Sequence, residues 1–273
     1  MGFPVIGVIA PKLAISQLIE PAARLGVEIK ASSKSMNADE LKEFAKDCNL
    51  ICIEPDLISI GAVKVAEQSG IQIYPSSKLL ASISTIEIHK STGEQLAITA
   101  ARSAHAQSAI WPIALVDKDL VISPAPGVGE EQAITIAVSS LNLLNELGIT
   151  GGIELIVDAN NYQNLIGINW LQPISSFISE INSTTNYYEQ YLRAVLDLPM
   201  GETNTYQESA VIGRLTTDPT SDDYRPYLHL MARNPRLKFD QRMKLVGVAG
   251  ESLEELLTEI IHAQQYYSGE IDS

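Results

Sequence analysis

The most chemically suggestive side chain in this sequence is Glu154, the one carboxylate in the apolar run GGIELIV at 151–157. A carboxylate on an otherwise apolar strand can bind a hard cation such as magnesium, provided a second oxygen ligand faces it from the next strand. That strand is expected at 164–173 (NLIGINWLQP), because the intervening DANNYQ favours a turn and makes the whole a hairpin. The bland alternative is a lone, partly exposed carboxylate that is solvated or paired. Glu54, in IEPD at 53–56, ends a strand at the edge where open α/β sheets bind ligands, so a substrate contact is the reading there. Arg233, Arg236, Lys238, Arg242 and Lys244 form the densest basic stretch of the chain, either a phosphate site or a solvated strand. Cys48 and Cys52 are spaced CNLIC, which is neither a redox pair nor a metal set, and read as two largely buried, inert thiols in a reducing compartment. His105 and His229 lie in strand patterns, and no Ser/His/Asp or Cys/His spacing recommends either as a catalyst.

The elements that must position these residues follow from hydrophobic periodicity. Residues 4–80 alternate strand and helix: strands at 5–9, 27–31, 50–54 and 71–74, helices at 13–25, 37–46 and 60–69, the pattern of a doubly wound α/β unit. Asn37 with Glu40 three residues on is a capping box. The first turn, APKLAI at 10–15, has no glycine and places Pro11 where a pyrophosphate would need backbone N–H groups, which argues against a dinucleotide site. From Gln95 the pattern becomes a meander of strands at 96–102, 108–116 and 120–124. An amphipathic helix follows at 130–147, with Ile134, Val138, Leu141, Leu144 and Leu147 on one side and Gly148 closing it. After the hairpin come a helix at 187–196, strands at 210–215, 227–231 and 244–248, and a last helix at 252–267 begun by the Ser252/Glu255 capping box.

Composition bounds the rest. Lys+Arg 19 against Asp+Glu 33 gives a net charge of -14, which repels phosphate backbones and makes nucleic acid an unlikely partner. No apolar run is long enough to span a membrane and the N-terminus lacks the basic flank of a signal peptide, so the expectation is a cytoplasmic protein of two or three subdomains with no membrane partner.

Several short strings occur together in a fixed order: GVI at 7–9, IYPS at 73–76, ARSAHAQSAIWP at 101–112, SPAPG at 123–127, GIEL at 152–155, IN at 168–169 and YEQYLRAVLDLPMG at 188–201, with YLHL at 227–230 and RM at 242–243. In this order they resemble 5-(carboxyamino)imidazole ribonucleotide synthase, the ATP-grasp ligase family of purine biosynthesis, and most closely its actinobacterial members. The resemblance implies an α/β fold in three units. These are an N-terminal doubly wound (pre-ATP-grasp) unit at 1–82, a remnant ATP-grasp α+β sheet without its lid subdomain at 83–203, and a small C-terminal β-rich unit at 204–273.

The resemblance also implies where the chain departs from the family. The family's lid, with its glycine-rich loop, lies between the IYPS and ARS strings, where this chain has only Ser77 to Glu94. The family's two acidic metal ligands match Glu154 and, after the asparagine matched by Asn169, Trp170, whose indole offers an N–H and no lone pair to a cation. Trp170 is therefore expected to plug the vacated pocket, the alternative being a new stacking platform for a base. The family's cationic run after this strand is replaced by QPISSF at 172–177, and its phosphate-holding Lys and Arg fall near Arg233 and Arg242, with Gln241 as an alternative match. The expectation is a degenerate homologue that lacks the family's ATP and magnesium. It would serve as a non-catalytic binding or regulatory protein, as a homodimer, with another purine-biosynthesis enzyme or a small phosphorylated ligand as further partners. The alternative is an active enzyme carboxylating aminoimidazole ribonucleotide with a lid supplied in trans.

Overall fold

The structure, a computed structural model, describes residues 2–91, 93–215, 225–240 and 242–268, and of Tyr227 only the backbone. The N-terminal residues build the expected α/β unit. Strands β1 (Val5–Ile9), β2 (Glu28–Ser32), β3 (Leu50–Ile53) and β4 (Ile73–Tyr74) pair in parallel in the order β2-β1-β3-β4. Helices α1 (Lys12–Arg24), α2 (Ala38–Phe44) and α3 (Ile60–Glu67) connect them, and β1 and β3 are almost wholly buried, as strands covered on both faces must be. Asn37 accepts from the N–H groups of Asp39 and Glu40 while Glu40 accepts from Asn37 N, so the capping box is formed. A short helix α4 (Ser77–Ile83) and a connecting segment then lead to the second sheet, with His89 N donating to Leu165 O at 2.7 Å.

That sheet has nine antiparallel strands: β5 (Gln95–Arg102), β6 (Ser108–Ile110), β7 (Ala114–Asp117), β8 (Leu120–Ser123), β9 (Gly151–Asp158), β10 (Leu165–Asn169), β11 (Ser209–Arg214), β12 (Lys238–Asp240) and β13 (Leu245–Gly250). Its order is β10-β9-β5-β7-β8-β11-β13-β12, with β6 extending along β5 beyond β7. Because β11 pairs with β8 as well as β13, one sheet runs unbroken from the central unit into the C-terminal one. The helices are α5 (Glu130–Leu147), α6 (Ser176–Asn182), α7 (Tyr187–Val195), α8 (Arg225–Arg233) and α9 (Leu253–Ser268). On one face of the sheet, Ile153, Leu155 and Val157 pack with Ile136 and Leu144 of α5. On the other, Ile156 packs with Phe177 and Ile178 of α6, and α7 wedges Tyr187, Tyr188 and Tyr191 between α1 and the strands.

Four expectations are corrected here. The strand at 108–116 is two strands, β6 and β7, interrupted at Trp111–Ile113, where Pro112 has no N–H to offer a ladder. Residues 227–231 belong to helix α8, not to a strand: their alternation covers only five residues, and Pro226 sits in the first turn, where a missing N–H is harmless. His229 is thus helical, its Nδ1 2.6 Å from Tyr266 Oη, and His105 lies in the turn between β5 and β6, its Nδ1 against the Asp197 carboxylate. The predicted face of α5 holds at Leu141, Leu144 and Leu147, which pack against the sheet, but fails at Ile134 and Val138, which are 57% and 51% exposed while Ile136 and Ser140 are buried. This helix carries apolar residues almost all round, so periodicity alone cannot choose its buried side.

Candidate functional site

The hairpin β9–β10 forms as the sequence indicates. Asp158 Oδ1 accepts from Asn160 N at 2.8 Å and from Asn161 N at 3.3 Å, which closes the turn. At its root, Gly151 adopts φ 116°, a conformation that favours glycine, and a Cβ on Gly152 would lie 2.7 Å from the Tyr187 ring. The register sets Asn169 of β10 opposite Glu154 and Thr99 of β5 on its other side, a polar row across three adjacent strands.

Glu154 is 0% exposed, not a partly exposed carboxylate. Its Oε2 accepts from Asn169 Nδ2 and from Ile174 N, both at 2.7 Å. Its Oε1 accepts from Ser175 N at 2.9 Å and Ser175 Oγ at 2.6 Å. Since the Ser175 hydroxyl proton goes to Glu154, Thr99 Oγ1, 2.5 Å away, is the donor in the hydroxyl pair. Two backbone N–H groups, an amide and a relayed hydroxyl therefore surround one carboxylate, the environment that lets a buried acceptor exist without a cation.

The segment that brings these donors is the loop after β10, and a second carboxylate holds its other end. Leu171 N donates to Glu54 Oε2 at 3.3 Å. Burial pushes the Glu54 carboxyl up to about 7, with the Leu171 N–H opposing the shift and Asp56 adding to it. Trp170 is 7% exposed, but it packs with Ile153, Leu155 and Leu165, on the side of the sheet away from Glu154. The expectation that Trp170 plugs the space beside Glu154 is therefore corrected: strand alternation turns it the other way, and the 173–176 turn with α6 covers Glu154 instead.

Magnesium requires oxygen ligands in near-octahedral positions. Here both Glu154 oxygens already face hydrogen-bond donors, which a cation would have to displace and leave unpaired, and Trp170 supplies no oxygen. Among the described residues, no three His, Cys, Asp or Glu side chains are arranged to hold a metal ion. The residues present do not fit such an ion.

The basic stretch is dispersed over separate elements. Arg233 ends α8 with its guanidinium carbon 5.7 Å from the Tyr266 ring centroid, and Arg236 pairs with Glu259. Arg242 turns between β12 and β13, where it bonds Asp240 at 3.1 Å and approaches Gln17 of α1 at 3.4 Å. Burial alone would raise the Asp240 carboxyl, but hydrogen bonds from Arg242, Gln17 and Met243 outweigh it and hold the group below its ordinary value. Gln241 lies outside the described residues. Sequence reasoning missed Thr99 and Ser175; the antiparallel register through Glu154 would have found Thr99.

No family profile matches the chain. N5-carboxyaminoimidazole ribonucleotide synthase from Mycobacterium tuberculosis (strain ATCC 25618 / H37Rv) is 32% identical over 166 residues, 57% of this chain and 38% of the relative. The same enzyme from Corynebacterium ammoniagenes is 30% identical over 132 residues, 44% of this chain and 32% of the relative. In sequence the chain is similar to the N5-carboxyaminoimidazole ribonucleotide synthases. Its match spans less than two-fifths of the length of these curated relatives. The fold agrees from end to end. The synthetase from Thermotoga maritima superposes with a TM-score of 0.77 at 15% identity, covering 97% of this chain and 98% of that one. The Aspergillus clavatus synthase complexed with ATP gives 0.75 at 14% identity, covering 98% and 99%. No described helix is long and apolar enough to cross a membrane.

Proposed function

We propose that this chain is a non-catalytic homologue of N5-carboxyaminoimidazole ribonucleotide synthase, a binding or regulatory protein linked to purine biosynthesis that works as a homodimer and does not bind magnesium-ATP. The observation that carries the reading is the coordination of Glu154 by protein donors alone, with Ile174 N, Ser175 N and Asn169 Nδ2 where a metal-binding carboxylate needs open lone pairs. The interval from Ser77 to Glu94 supports it: a seven-residue helix and a short connection offer no glycine-rich loop to close on a triphosphate. Transfer of a phosphoryl group draws its catalysis from positioned cations and N–H groups, and the loop at 172–177 brings no cation.

Isothermal titration with magnesium-ATP, followed by phosphate release in the presence of aminoimidazole ribonucleotide and bicarbonate, tests the reading. No heat and no phosphate are expected; saturable micromolar binding with turnover would overturn it. Inorganic phosphate titrated in parallel shows whether Arg242, shared between Asp240 and Gln17, still holds an anion. Light scattering checks the dimer, and co-purification from cell extract checks a second purine-biosynthesis enzyme as partner.

A further inference from the structure

The face of the sheet opposite Glu154 carries a cleft of about 420 Å³ between α5 and the β9–β10 hairpin. Its floor is apolar, formed by Ile136 and Leu143 of α5 and by Leu155, Val157 and Leu165 of the strands. Its rim is polar and uncharged: Thr135, Ser139, Tyr162 and Gln163 complete the wall, and no lining residue is ionic. The volume is in the range of small-molecule sites, and an apolar floor with a few convergent polar groups is their usual chemistry.

Two features distinguish the cleft from loose packing. Helix α5 turns Ser140 inward and Val138 outward, the reverse of what filling a core requires. Ser140 is 7% exposed, lines the cleft and makes no hydrogen bond to another described residue. Among the described residues no sealed side-chain polar atom lacks a partner, so the Ser140 hydroxyl is not walled in: its remaining accessible surface opens into the cleft. A hydroxyl with no protein partner, reachable from the cleft and set above an apolar floor, can exchange water for a polar group of a ligand.

We propose that this cleft binds a small, uncharged molecule with an apolar body and one hydroxyl, carbonyl or N–H group that pairs with Ser140. Phosphorylated ligands are excluded by chemistry, because the lining offers no cation and a charge placed against it would be left unpaired. The site is independent of the Glu154 face, so its test stands apart from the magnesium-ATP titration above.

2-Naphthol serves as the probe, titrated against the full chain by fluorescence and by methyl-resolved NMR. One saturable site is expected, with shifts at the methyl groups of Ile136, Leu143, Leu155, Val157 and Leu165 and none at Ile178 or Ile212 on the opposite face. The charged analogue 2-naphthol-6-sulfonate should bind at least tenfold more weakly. Ser140→Leu, which fills the cleft, should weaken 2-naphthol at least tenfold, and Ser140→Ala a few-fold. Unchanged binding in Ser140→Leu, equal binding of the sulfonate, shifts on the opposite face, or no saturation up to the solubility limit would each overturn the proposal. If Ser140→Leu does not fold, the wild-type methyl map decides.

Discussion

Replacing Glu154 by Gln separates a structural acceptor from a ligand-binding carboxylate. The substitution keeps the size and shape of the side chain but exchanges one oxygen for an NH2 group. If that group takes the place of Oε2, Asn169 can turn its amide to present an oxygen, but Ile174 N–H, now 2.7 Å from another donor, cannot adapt. If it takes the place of Oε1, the Ser175 hydroxyl can rotate to accept, yet Ser175 N–H is left facing a donor. Either orientation strands one buried backbone N–H, at about 1–3 kcal/mol, and turns the remaining charge-assisted bonds into neutral ones of roughly half the strength. We expect Glu154→Gln to lose about 3–5 kcal/mol, a large part of the 5–15 kcal/mol typical of a domain.

Urea unfolding followed by fluorescence and circular dichroism measures the loss, with coincident transitions required before one free energy is quoted. Hydrogen exchange locates it, since the amides of Ile174 and Ser175 should lose protection first. A loss under about 1 kcal/mol, or a gain, would refute the reasoning: removing a charge held ready for a ligand commonly stabilises a protein, whereas removing the centre of a satisfied network does not.

Three further outcomes follow from the same geometry. Glu54 has a folded value of about 7 against an ordinary 4.5, so its contribution to stability is fully present below pH 4.5 and is lost as pH rises to about 7; Glu54→Gln should flatten that slope, and equal urea midpoint changes between pH 5 and 8 in both proteins would count against it. Gly152→Ala sets a methyl 2.7 Å from the buried Tyr187 ring, which cannot swing aside, and should cost about 1–3 kcal/mol in the same assay; a neutral result would mean that α7 shifts freely. Trp170→Glu restores a second carboxylate in the sequence but on the apolar side of the sheet, so it should destabilise the fold by several kcal/mol, of order 3–5, without creating magnesium-ATP binding in a calorimetric titration; binding would show that the register places position 170 differently.

Much of the fold was legible because local signals agreed with one another. The strand-helix alternation of residues 4–80, the box at Asn37 and Glu40, and Gly148 at φ 66° closing α5 are each fixed by neighbouring residues alone. Failures came where the decisive contact is remote. Tyr227–Met231 alternates like a strand, yet it folds as helix α8 against α9, with His229 bonded to Tyr266, 37 residues onward. Helix α6, with two serines and an asparagine in seven residues, carries little helical propensity and is held by Phe177 and Ile178 against the sheet. At the candidate site the sequence located Glu154 and Asn169 but not their environment, because the donors come from a loop whose path depends on tertiary packing.

That loop links the two candidate carboxylates into one physical statement. Glu54, at the end of β3, takes the N–H of Leu171; Glu154, in the middle of β9, takes those of Ile174 and Ser175. Two acids from two sheets thus hold three N–H groups within the five residues from Leu171 to Ser175, and each oxygen used in this way already faces a donor. The strand register that aligns Asn169, Glu154 and Thr99 would serve a metal site equally well, so the proposed loss of metal binding rests on the loop and not on the strands. Changing single side chains on the hairpin cannot reverse it, because the competing donors at Ile174 and Ser175 belong to the backbone.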